Sequence, residues 1–148
     1  MTEAATTLPA PEASPGPEDL VTLCRQALVD SATYVEFIST TMAVCAQQIR
    51  TGDDQTALGH LAQGSSDLEQ FLQLMEHVTA VAKPATPKEV DAFRADLLRC
   101  VRGMEQSLVQ QDLVTLSDQI EGDLLQVLPR WDGVAEELAL ALEVISPP

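Results

Sequence analysis

Between Glu18 and Arg50 the chain reads EDLVTLCRQALVDSATYVEFISTTMAVCAQQIR, and its apolar side chains return at steps of three and four: Val21, Cys24, Leu28, then Val35, Ile38, Met42, Cys45 and Ile49. Ser31 holds the polar place in that stripe. Side chains three and four apart stack on one side of a helix, whereas a strand alternates every second residue. The stretch therefore reads as one amphipathic helix of about 33 residues, about 50 Å long at 1.5 Å per residue. Pro17 suits a first helical position, and Glu18 and Asp19 set negative charge against the exposed N–H groups there.

The same period continues outward. Gly52 follows the last stripe residue as a C-cap, Asp53 or Asp54 offers the next N-cap, and a second stripe runs Leu58, Leu61, Ser65, Leu68, Leu72, Met75, Thr79 and Ala82, flanked by Phe71 and Val78. Lys83-Pro84-Ala85 ends it, because the residue before a proline is driven out of the helical region. Thr86-Pro87-Lys88-Glu89 matches a capping box with Pro87 at the first helical position, and a third stripe follows with Val90, Phe93, Leu97, Cys100 or Val101, Met104 and Leu108. Asp112 caps a fourth, made of Leu113, Leu116, Ile120, Leu124, Val127, Trp131, Val134, Leu138, Ala141 and Ile145. Its spacing slips between Ile120 and Leu124, and Pro129 clashes with the Leu125 carbonyl, so a kink or break is predicted near Leu125 to Pro129, eased by Gly122.

No stretch alternates as a strand does, so the fold class is all-α. Short connections make successive helices antiparallel neighbours, which predicts an up-down-up-down antiparallel four-helix bundle with a kinked last helix. Residues 18–146 form its single domain. Residues 1–17, rich in Pro and Ala, are expected to be a disordered tail that buries too little surface to offset its ordering entropy. Gly64, Ser65 and Ser66 either admit a close neighbour or weaken the second helix.

Composition narrows function. Eight Lys and Arg against 23 Asp and Glu leave a net charge of -15, which removes the main term in nucleic-acid affinity and disfavours anionic membranes. No apolar run approaches the roughly 20 residues a bilayer needs. Cys24, Cys45 and Cys100 are odd in number and sit among apolar neighbours, and the first residues lack a secretory h-region, so a cytoplasmic protein with reduced thiols is expected.

Chemistry is sparse. A carboxylate-bridged metal bundle needs Glu-x-x-His, which does not occur, and His60 and His77 lie about 25 Å apart on one helix axis. The cysteines fall on apolar stripes with no base beside them, and the glycines form no phosphate loop. Asp118 with Glu121 and Glu136 with Glu137 read as surface pairs, and Arg94, Arg99 and Arg102 as salt-bridge donors to the acidic fourth helix. The expectation is a non-enzyme with no catalytic residue, cofactor or metal. Candidate partner-binding residues are Tyr34 and Phe37, beside the uncharged strip of Thr33, Ser39, Thr40 and Thr41, and Trp131, which is either a core plug or a partner's anchor, stripe phase favouring the core.

Asp112, Leu116, Asp118, Glu121, Pro129 and Trp131 follow the order Asp-x-hydrophobic-x-Leu-Ala-Asp, then Glu, then Leu-Pro before Trp, with Ser117 in place of the Ala. In this the segment resembles the closing helix of a bacterial helical family described only as a domain of unknown function. That resemblance implies a bacterial helical protein and no activity. In size, charge and architecture the chain is also similar to the small acidic helical chaperones of flagellar and type III secretion systems, which hold export substrates through helix-in-groove contacts. These readings converge on a non-catalytic protein-interaction module, a chaperone or adaptor for a basic or amphipathic partner helix. A homo-oligomeric structural protein, a homodimer or larger assembly joined through apolar ends of the longer first and fourth helices, is the alternative, and a metal-binding or enzymatic bundle the third.

Overall fold

The computed structural model describes residues 17–83 and 85–145; all of the tail expected over residues 1–17 except Pro17, the helix stop at Pro84, and Ser146 lie outside the described residues. Pro17 itself opens α1 (Pro17–Arg50), which is followed by α2 (Asp54–Ala82) and α3 (Lys88–Val109). The fourth rod is composite: α4 (Leu113–Gln119), a π-helical turn (Ile120–Leu124), α5 (Leu125–Val127), a 3-10 turn (Leu128–Arg130) and α6 (Trp131–Ile145). Among the described residues there is no strand. The class is all-α.

The turns follow their local chemistry. At the end of α1 the Gly52 N–H donates to the Ile49 carbonyl at 3.1 Å and the Asp53 N–H to Gln48 at 2.9 Å, with Gly52 at φ 85°, the left-handed cap that glycine adopts without a Cβ clash. Asp53 holds the N-cap position of α2 but makes no side-chain cap bond. The capping box at Thr86 does not form. Pro87 is extended (φ -68°, ψ 154°) and takes the cap position itself, so α3 starts one residue late, and the Thr86 hydroxyl faces the Thr79 carbonyl in the last turn of α2. Asp112 caps as expected, its carboxylate accepting from the Thr115 N–H at 3.1 Å and the Thr115 hydroxyl at 2.6 Å, and these bonds hold its pKa below the usual value.

The fourth rod bends its ladder where the spacing slips. Leu116, Ile120, Leu124 and Leu128 are all fully buried at steps of four, which in an ideal helix drift steadily around the axis. The π turn takes more residues per turn and absorbs that drift between Ile120 and Leu124; the 3-10 turn, at three residues per turn, carries the face from Leu128 to Trp131. Leu128, rather than Val127, is therefore the buried residue of that level.

α1 and α2 pack along their length with opposite sense, Gln48 meeting His60 and Tyr34 meeting Asp67. Met42 of α1 meets Gly64 of α2 so closely that a Cβ at Gly64 would lie 2.7 Å from its sulfur, which assigns Gly64 to close approach. Ser31 and Arg50 of α1 reach Trp131 and Asp118 of the fourth rod, and Asp96 and Ser107 of α3 reach its Arg130 and Gln119. The core is centred on Phe71, Phe93 and Trp131, with Phe71 edge-on to the indole at 4.8 Å between centroids. Edge-to-face rings of this kind add to burial energy.

Candidate functional site

Three rods meet unevenly. α2 and α3 meet through side chains, Phe71 edge-on to Phe93 and Arg94 paired with Glu76. An apolar groove of about 500 Å³ opens between them, with Leu61, Leu68 and Leu72 on the α2 bank and Val101, Met104 and Leu108 on the α3 bank. Leu116 of α4, fully buried, lies at its base. Ser65, Ser66, Glu69 and Glu105 complete the lining, which among the described residues contains no cation.

Why the groove exists follows from the helix faces. α2 buries Leu61, Leu68, Phe71 and Met75 and still presents Leu72 and Leu74 only partly covered, an apolar arc wider than one neighbour fills. On α3 both members of the Cys100 and Val101 pair are partly buried, and Leu108 is left 41% exposed. Leu58, one turn before Leu61, is exposed as well. By stripe position Leu58, Leu72 and Leu108 read as core, so the groove does not show in the spacing. The doubled apolar positions Leu97-Leu98, Cys100-Val101 and Leu108-Val109 were the available signal.

The three residues singled out from the sequence are not brought together. Trp131 is 1% exposed and packs between Phe71 and Phe93, and its Nε1–H donates to the Ser31 hydroxyl at 2.7 Å; it is a core plug and not a partner's anchor, because stripe phase and a buried acceptor both hold it inside. Tyr34 serves the α1–α2 seam. Its hydroxyl proton is shared among the Asp67 carbonyl at 3.1 Å, the Asp67 carboxylate at 3.3 Å and Gln70 at 3.2 Å, and burial followed by the charge of Asp67 pushes the phenol pKa up. Phe37 alone faces outward, at 53% exposure.

The titratable groups are dispersed. His60 bonds Gln48 through Nδ1 at 2.8 Å, and His77 is exposed. Cys24 and Cys45 are buried and Cys100 half-buried, and burial raises all three thiol pKa values. Among the described residues no group of three or more His, Cys, Asp or Glu is gathered in a metal-holding arrangement. The α3 cations do not reach the acidic fourth rod: Arg94 pairs with Glu76 of α2 and Arg99 with Asp96 of its own helix, while the bond that crosses runs the other way, from Arg130 to Asp96 at 2.8 Å. Asp96 is drawn low in pKa by Arg130 first and Arg99 second. Among the described residues no helix is long and apolar enough to cross a membrane. No family model, curated protein or solved structure matches the chain.

Proposed function

We propose that this chain is a non-catalytic protein-interaction module, an adaptor or chaperone of the cytoplasm, whose α2–α3 groove receives a helix from another protein. The observation that carries the reading is the apolar trough built by three rods and left open at Leu72 and Leu108. Helix-in-groove binding needs such a trough, because the ligand's apolar face is buried only if the banks stand a helix-width apart. The unpaired thiols of Cys24, Cys45 and Cys100 support a reducing setting.

A library of helical peptides selected against the full chain tests this. Binders should lose at least tenfold in affinity with Leu108→Glu, whose side chain is already half in solvent, and keep their affinity with Phe37→Glu on α1. Absence of binders, or the reverse sensitivity, overturns the groove.

Self-association is a second reading, favoured by Leu20 and Leu23 near the start of α1 and Leu140 and Val144 near the end of α6, all exposed. Static light scattering should then report a dimer that Leu140→Glu dissociates; a monomeric mass at high concentration removes this reading.

A further inference from the structure

Resting on that groove reading, we infer the partner's chemistry: a cationic amphipathic helix of about three turns, lying along α2 with Lys or Arg on both flanks of its apolar face. Length comes from the banks. Leu61 to Leu72 spans about 17 Å of α2 at 1.5 Å per residue, room for three apolar anchors at i, i+4 and i+7.

Charge comes from the rims. Glu69 stands on the α2 bank and Glu105 on the α3 bank, and among the described residues the lining holds no cation to neutralise either. Arg94 of α3 is already paired with Glu76 of α2, outside the groove's lining. Carboxylates on both rims of an apolar strip disfavour an acidic ligand, and basic groups flanking a docked helix meet them with opposite charge. A second copy of the chain, at -15, meets like charge at these rims and suits the groove less well than a basic helix does. Ser65 and Ser66 lack bulk and leave the α2 bank low, which gives a bulky anchor access to Leu61 and Leu68.

The experiment uses the peptide selection with leucines fixed at i, i+4 and i+7 and the flanking positions randomised. Lys and Arg should be enriched at those flanks. A selected peptide should weaken at least tenfold between 50 and 500 mM NaCl, since a screening length below about 10 Å removes rim attraction. Glu69→Lys combined with Glu105→Lys should weaken it at least tenfold and favour a Glu-flanked version of the same peptide. Binders with neutral or acidic flanks that still depend on Leu108 overturn the cationic partner and leave the groove standing. Groove-dependent binding only of detergent or fatty acid, with no peptide, overturns both.

Discussion

Ser31 is the polar residue inside the longest apolar stripe, and its placement is explained by one partner. Its hydroxyl donates to the Leu28 carbonyl at 2.7 Å and accepts from the Trp131 indole, so both polar groups are satisfied at almost no exposure. Ser31→Ala should destabilise the fold by about 1–3 kcal/mol, because the buried indole N–H keeps no acceptor. Urea unfolding followed by circular dichroism checks this. Gln111 sits at φ 59° where Gly52 plays the same part in the earlier turn, and the same pair of bonds surrounds it, Gln111 N–H to Leu108 and Asp112 N–H to Ser107. A side chain in that region is strained. Gln111→Gly should therefore raise stability by about 0.5–1 kcal/mol in the same assay, the relieved strain outweighing the entropy glycine adds to the unfolded chain.

At the scale of elements, the composite fourth rod shows how a proline is accommodated. Pro129 falls in a 3-10 turn, with the π turn just upstream, so the ladder is already rearranged where its ring and missing N–H would otherwise disrupt an ideal helix. Pro129→Ala should leave stability unchanged or lower it by up to about 1 kcal/mol, through the freer unfolded chain. A gain of about 3 kcal/mol, the cost of a proline in a regular helix interior, would falsify this account. The slip between Ile120 and Leu124 was visible as spacing. Its resolution into a π turn was not, since spacing reveals a mismatch with the helical repeat but not which turn absorbs it. The start of α3 was misplaced for a related reason: Thr86 and Glu89 satisfy a pattern, yet Pro87 settles in the extended region and the last turn of α2 offers Thr86 an acceptor.

For the whole molecule, charge sets the response to solution conditions. At pH 7 the excess of carboxylates repels itself, and mild acid or salt relieves it. Asp96 and Asp112 act in the opposite sense. Their folded pKa values lie below the ordinary 3.8, so their stabilisation is present above that value and is lost as pH falls through the lowered one. In low salt the melting temperature should rise from pH 7 to about pH 5 and fall below about pH 3.5, and added salt should flatten the rise. Stripe positions were legible because helical period and burial are tied residue by residue, as Leu97, Leu138 and Met42 illustrate. The groove was not, because periodicity identifies an apolar face without saying how much of it a neighbour covers: Leu72 and Leu68 look alike in sequence, and only the way α2 packs against α3 separates them. The bond between Ser31 and Trp131 ties residues 100 positions apart, and it joins the first rod to the last. Hairpins of adjacent rods close shorter loops and so assemble sooner. The lone indole's emission in stopped-flow refolding should therefore lag the helical signal, timing the final clasp of the molecule.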